Sequence, residues 1–215
     1  MPFSCPLCQS NEIAKYHFQK KYQREFYICA VCDLRFIDRD KLLSLDQERE
    51  RYDQHTNNIR TSGYESFLRR LANPVKANYP LKSRGLDFGC GPYPMLTEIL
   101  NEDGFKDIDA YDPIFRNDKS YLGKNYDFIT MCEVIEHIYN IKDDLSQVFS
   151  LLCGNGRLII STGLYDSSIS FEKWHYINDV THINIMSEKT MKWITGEFKV
   201  QLESTENDIT IFLKI

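Results

Sequence analysis

The chain has 215 residues, 26 basic and 31 acidic side chains, a formal charge of −5 and 42% hydrophobic content. With a mean hydropathy of −0.42, it is neither disordered nor fibrous and suits one real core with a small appendage. The acidic balance gives no general attraction for nucleic acid, which needs clustered Lys and Arg, and no apolar run approaches the roughly 18 residues that span a bilayer.

Met1-Pro2-Phe3-Ser4-Cys5 lacks the segments of a secretion signal, so a cytoplasmic protein is expected. Seven cysteines are present, four of them in Cys5-Pro6-Leu7-Cys8 and Cys29-Ala30-Val31-Cys32, with 20 residues between the pairs. Pairs at that spacing bend two turns towards one tetrahedral ion, and four thiolates close its shell against water. A structural zinc on Cys5, Cys8, Cys29 and Cys32 is therefore expected in a ribbon-like segment, residues 1–40, which is too small to fold without such a staple. Cys90, Cys132 and Cys153 sit in apolar contexts and read as small buried thiols.

Residues 41–80 read as a helical linker or lid. Lys41 to His55 is strongly charged, as an exposed connecting helix would be. Tyr64, Phe67, Leu68 and Leu71 recur at helical spacing, which predicts a helix over Gly63 to Asn73 that stops at Pro74.

Residues 81–215 form the main predicted domain. A strand at Arg84 to Phe88 runs into Gly89-Cys90-Gly91 and a helix with Leu96, Ile99 and Leu100 on one face. Further strands are predicted at Asp107 to Asp112, Asp127 to Cys132 and Arg157 to Ser161, with a helix carrying Leu145, Val148, Phe149 and Leu152 before the last. A helix from Ser187 to Thr195, stopped by Gly196, precedes an antiparallel hairpin of Lys199 to Glu203 and Asp208 to Lys214. Alternating strands and helices imply an α/β fold with a doubly wound, Rossmann-like parallel sheet. Only 14 residues separate Asp112 from Asp127, too few for another helix and strand, so the sheet edge is trimmed and six main strands are expected.

Gly89 and Gly91 let backbone approach a ligand at the carboxyl end of the first strand. Pro94 stands where a dinucleotide fingerprint wants another glycine and Pro92 removes an amide, which argues against NAD and FAD. Asp87 repels a pyrophosphate but welcomes a ligand carrying an ammonium and a sulfonium, the two charges of S-adenosylmethionine. Asp112, ending the second strand, is placed to accept hydrogen bonds from ribose hydroxyls.

Leu86-Asp87-Phe88-Gly89-Cys90-Gly91, Tyr111-Asp112-Pro113 and Tyr126-Asp127-Phe128-Ile129-Thr130-Met131-Cys132-Glu133-Val134-Ile135-Glu136-His137 together resemble the class I S-adenosylmethionine-dependent methyltransferases. The likeness runs from about Gly85 to the C-terminus. It is nearest to small bacterial members that carry a cysteine-rich N-terminal segment, and more distant from the ubiquinone-pathway O-methyltransferases. The resemblance implies that Gly89 and Gly91 line the methionine end of the cofactor, Asp112 the ribose, and Cys132 the cofactor from its strand end. Two departures stand out: Tyr93 replaces the family's third glycine, and the third strand is missing.

Glu133, Glu136 and His137 follow the third predicted strand of the domain, and on a helix beginning there they would share one face. His182 joins them from the loop after the next strand. Two carboxylates and two imidazoles are candidates for a catalytic acid-base set or for a divalent ion that lowers a substrate hydroxyl's pKa; helix capping or core support is the plainer alternative. The set resembles the metal site of the ubiquinone O-methyltransferases and of small-RNA 2′-O-methyltransferases. A sulfonium methyl is already electrophilic, so a base matters only for acceptors slow to lose a proton, and the histidines favour a hydroxyl. Tyr52, His55, Trp174 and Tyr176 are candidates to line an acceptor pocket, with packing as their plainer role. The expected function is methyl transfer to a small-molecule acceptor, more specifically on oxygen. An RNA methyltransferase gripping its substrate through the ribbon, and a non-catalytic interaction protein with an emptied sheet, are the alternatives.

Overall fold

The computed structural model describes residues 3–39, 42–53 and 61–215. His55, and with it the end of the charged linker, lies outside the described residues, as does the side chain of Tyr52. Two sheets organise the chain. The larger has the strand order β5-β4-β6-β7-β10-β9, built from β4 (Arg84–Phe88), β5 (Asp107–Tyr111), β6 (Tyr126–Cys132), β7 (Leu152–Ser161), β9 (Val200–Glu206) and β10 (Ile209–Lys214). The first four are parallel and the terminal hairpin is antiparallel, giving the six expected strands with β5 as the trimmed edge. A turn closed by the Asp112–Arg116 bridge and a short 3-10 helix, Lys119–Gly123, connect Asp112 to β6.

Alternation along the strands divides the core between the sheet's two faces. Phe128 and Ile159 pack under α2 (Ser62–Asn78) and α3 (Met95–Glu102), with Leu71, Ile99 and Leu100. Ile129, Leu158 and Ile160 face the other way, towards α4 (Ile141–Leu151) and α5 (Glu188–Phe198), with Leu145, Val148 and Met191. The charged linker holds α1 (Leu45–Asp53).

Two helix ends differ from the sequence expectation, both for tertiary reasons. α2 continues through Pro74 to Asn78, although a proline leaves the carbonyl four residues earlier without a helical partner. Val75 beyond it is fully buried, and Asn78 Nδ2 donates to the carbonyl of Pro74 at 2.8 Å. α5 passes Gly196 and ends at Lys199, whose φ of 54° makes the left-handed cap, because Phe198 still has Phe149 to pack on at 5.1 Å between ring centroids. Its other end is as expected: Ser187 caps it in a capping box with Thr190.

The smaller sheet has the order β1-β2-β3-β8: β1 (Ile13–Gln19), β2 (Arg24–Cys29) and β3 (Arg35–Ile37) from the cysteine-rich segment, and β8 (Asn184–Ile185) from the main domain. Arg35 pairs with Ile185 and Phe36 with Asn184. The ribbon is thus completed by a strand about 150 residues away in sequence, and its Phe26 and Ile37 share a core with Trp174, Tyr176 and Ile177.

Candidate functional site

Strand order reverses beside β4, since the chain leaves it for β5 on one side and returns to β6 on the other. The crevice at that switch point lies at the carboxyl ends of the three strands. A cavity of about 750 Å³ occupies it, bounded by the glycine turn, the ends of β5 and β6, the 179–182 loop, and Glu48, Tyr64 and Phe67 from the helices above.

The glycine turn is fastened to β5. Gly89 and Cys90 donate their amides to the carbonyl of Tyr111 at 2.8 and 3.0 Å. Asp112 accepts from the Gly91 amide through Oδ2 at 3.0 Å, and from Ile114 and Phe115 through Oδ1 at 2.9 and 3.0 Å. Gly89 has φ +82° and a Cβ there would lie 2.5 Å from Val134 Cγ2; Gly91 has φ +67° and its missing Cβ faces open space. The first glycine is needed for packing and the second leaves backbone bare to the cavity. Asp87 sits beneath, buried, accepting from Thr97 at 3.1 Å and Thr130 at 3.3 Å. Burial pushes its carboxyl up to about 6 despite the two hydroxyl bonds.

The segment after β6 departs from expectation. Glu133 takes φ +51°, its amide bonded to the carbonyl of Ser161 at 2.9 Å. Only a 3-10 turn, Ile135–His137, follows, and α4 starts at Ile141. Asn184 Nδ2 reaches the carbonyls of Ile135 and Ile138 at 3.3 and 2.7 Å, holding the segment as a loop. Glu133, Glu136 and His137 therefore do not share a helix face. Glu133 and His137 line the cavity with His182 and Cys132; Glu136 is fully buried behind them.

Tyr176 ties the two carboxyls together, donating to Glu133 Oε2 at 3.2 Å and to Glu136 Oε1. Ser161 adds a bond to Glu133 at 2.8 Å and Thr162 one to Glu136 at 3.0 Å. Burial pushes both carboxyls up to about 7, and for Glu133 the neighbouring Glu136 charge adds to the effect. The histidines are locked from behind: Nδ1 of His137 contacts the carbonyl of Thr181 at 3.0 Å and Nδ1 of His182 that of Tyr176 at 2.7 Å. A carbonyl can only accept, so each Nδ1 carries a proton. Burial drives the His182 imidazole down to about 3, so it is neutral at physiological pH.

Of the expected residues, the cavity wall gathers Asp87, Gly89, Gly91, Asp112, Cys132, Glu133, His137 and His182. Trp174 and Tyr176 do not line it; their rings stack at 4.9 Å within the core shared with the ribbon, so they anchor the loop. Sequence patterns do not reveal Thr130, Thr162 or the carboxyl-pairing role of Tyr176. Thr130 meets Asp87 only because the two are register partners on adjacent strands, which no local pattern reveals.

In the ribbon, Cys5 and Cys32 Sγ lie 3.5 Å apart and Cys8 and Cys29 Sγ 3.3 Å, and all four sulfurs fall within 4.8 Å of one another. Disulfides would be about 2 Å long, whereas sulfurs about 2.3 Å from one tetrahedral zinc are roughly 3.8 Å apart. The second group with ligand atoms within 4.8 Å of one another, among the described residues, is Glu136, His137 and His182.

Residues 54–204 match a family model described as a methyltransferase domain. No curated protein matches the chain. Among solved structures it is similar to magnesium protoporphyrin IX methyltransferase from Synechocystis PCC 6803 with bound SAH, with a TM-score of 0.57 at 17% identity, covering 82% of this chain and 98% of that one. The plantazolicin methyltransferase BpumL, in complex with a monoazolic desmethylPZN analog and SAH, gives 0.53 at 15% identity over 79% and 91%. The PH0226 protein from Pyrococcus horikoshii OT3 gives 0.50 at 15% over 77% and 99%. At these identities the likeness is one of fold. No helix among the described residues is long and apolar enough to cross a membrane.

Proposed function

Since the chain belongs to the methyltransferase-domain family and is a class I S-adenosylmethionine-dependent methyltransferase, we propose that its cavity receives that cofactor beside a small acceptor lacking phosphate, and that the acceptor is methylated on oxygen. One observation carries the reading: the described cavity wall holds Glu48, Asp87, Asp112, Glu133, Asp144 and Asp179, and no Lys or Arg. Such a wall attracts a cationic sulfonium and ammonium and repels a phosphate chain. It disfavours RNA and nucleotide-linked acceptors, and the protein's acidic balance adds to this.

The residues fit the cofactor. Bare backbone at Gly91 would give its methionine end close approach, Asp87 would meet the ammonium, Asp112 keeps lone pairs that ribose hydroxyls could use beyond its three amide bonds, and Cys132 would close the strand end. When bound, the cofactor supplies an electrophilic methyl on sulfur. The chain's own contribution is to orient the acceptor in line, exclude water and take a proton. Glu133 suits that last task, because it lines the cavity and ionises near neutrality. His182, a very weak base with its Nε2 free, instead accepts a hydrogen bond from the acceptor hydroxyl and points it.

A second reading is favoured by the backbone bonds at both Nδ1 atoms, the arrangement that metal-ligating histidines show. In it Glu136, His137 and His182 would hold a divalent ion, with Glu133 nearby, and such an ion would supply a lowered pKa to the acceptor hydroxyl. Zinc on the four ribbon cysteines is a separate, structural proposal within the 1–40 segment, and its sulfur geometry supports it.

The test is calorimetry with SAH, followed by transfer of labelled methyl to a panel of phenols, sugars, amines and RNA. SAH is expected to bind, and Asp112→Ala to weaken it by about 1–3 kcal/mol through lost hydrogen bonds. Absence of heat with SAH overturns the cofactor assignment; label entering RNA rather than small hydroxyls overturns the acceptor class. Undiminished transfer in magnesium- and manganese-free buffer removes the divalent-ion reading.

A further inference from the structure

The 177–182 loop, which brings Asp179 and His182 to the cavity wall, is held by a side chain of the ribbon. Arg24 lies on β2 and is 5% exposed. Its Nη1 donates to the carbonyl of Val180 at 2.7 Å and approaches that of His182 at 3.5 Å. Its Nη2 donates to the carbonyls of Ile177 at 2.9 Å and Asp179 at 3.2 Å. Gln19 on β1 braces the guanidinium, its Oε1 accepting from Nε at 3.1 Å and Nη2 at 2.9 Å while its own Nε2 donates to the Ile177 carbonyl at 2.8 Å.

A guanidinium buried to this degree is costly unless its donors are used, and here Nη1 and Nη2 converge on the backbone of one loop while Nε is taken by Gln19. Burial lowers its pKa to about 10, which leaves it charged at neutral pH. A planar fork with its donors in fixed directions serves the four loop carbonyls and Gln19 Oε1 together; an ammonium on a flexible stem has too few donors for all of them. The loop's carbonyls thus turn to Arg24, while Asp179 and His182 of the same loop line the cavity.

We propose that Arg24 is a positioning residue for the cavity: by gathering the carbonyls of residues 177–182 it sets where His182 stands, so the ribbon fixes the acceptor end of the site. This deepens the methyltransferase reading and rests on it only in assigning His182 to the acceptor.

The test needs no acceptor. Arg24→Ala and Arg24→Lys are compared with the wild-type chain by SAH calorimetry, amide hydrogen exchange and the imidazole nitrogen spectrum of His182. In Arg24→Ala the amides of Thr181, His182 and Ile183 are expected to lose protection by about tenfold or more, while Phe26 in the ribbon and Ile129 in the large sheet keep theirs. The signal of the Nδ1-protonated His182 tautomer should broaden or shift, and SAH affinity should stay within about twofold. Millimolar guanidinium, filling the vacated space, should restore both loop signatures, and Arg24→Lys should remain impaired. Unchanged loop protection and an unchanged His182 signal in a folded Arg24→Ala chain would overturn the proposal. So would loss of protection spread evenly over both sheets, which would make Arg24 a general fold residue. If Arg24→Ala does not fold, a wild-type His182 signal in Arg24→Lys overturns it instead. Failure of SAH to bind the wild-type chain would count against the methyltransferase reading alone, since the loop signatures are read without cofactor.

Discussion

Glu136 shows what a single buried carboxyl does here. It is fully buried, its oxygens are taken by Tyr176 and Thr162, and burial raises it from 4.5 to about 7. Below pH 4.5 it is protonated whether the chain is folded or unfolded, and its contribution to stability is complete. As pH rises towards 7 the unfolded chain releases this proton and the folded chain retains it, so stability falls until the folded carboxyl ionises as well. A shift of this size is worth about 3 kcal/mol across that window. Glu136→Gln removes the titration and keeps the shape. Denaturant titrations of both chains at pH 5 and pH 7.5 should therefore show the variant gaining on the wild type by about 2–3 kcal/mol as pH rises. A pH-independent difference would mean that Glu136 ionises in the folded chain much as it does in the unfolded one. Glu133, its partner on Tyr176, ionises into the cavity and is the member of the pair available to a substrate.

The glycine turn is the element on which cofactor binding depends, and its two glycines make separable predictions. Alanine at Gly89 drives a methyl into Val134 and also strains φ, so Gly89→Ala should lower the melting temperature clearly. Alanine at Gly91 meets no atom within 4 Å; the left-handed backbone costs about 1–2 kcal/mol, but the new methyl enters the cavity. Gly91→Ala should keep most of the fold and lose most of the melting shift that SAH gives the wild type. An SAH shift equal to wild type would move the ligand away from Gly91. This turn was legible in the sequence because strand, glycines and helix follow one another locally, as were the six strands, the trimmed edge at β5 and the Ser187 cap. Elements decided by distant partners were not. Pro74 and Gly196 read as stops because their neighbours' burial, at Val75 and Phe198, belongs to tertiary packing. The Glu133–His137 loop read as a helix because the Ser161 carbonyl and the Asn184 amide that hold it come from later in the chain. β8, two residues long, is too short to show any period.

At the scale of the whole molecule, the ribbon and the large sheet are joined by β3 against β8, by the shared core around Trp174, and by the bond from Ser187 Oγ to Asp33 at 2.7 Å. β2 ends in Cys29 and carries Arg24, and the sulfurs of Cys5, Cys8, Cys29 and Cys32 converge at its end. If those sulfurs hold zinc, the ion's binding energy stabilises more than the first 40 residues. Stripping it should then lower the melting temperature of the chain as one transition, instead of melting a ribbon off an unaffected domain. Loss of even about 4 kcal/mol corresponds to roughly 8–16 °C for a chain of this length. Trp193→Phe leaves Trp174, at the seam, as the one indole, so its fluorescence reports the junction directly. The expected result is one zinc per chain by metal analysis. On chelation, the Trp174 emission should shift and SAH should still raise the melting temperature of the chelated chain, since Gly91 and Asp112 belong to the other sheet and its turns. A chelated, zinc-free chain with unchanged Trp174 emission and melting temperature would show that the thiols hold this segment without metal. An early, separate transition in Trp174 emission would show that β8 does not couple the two sheets.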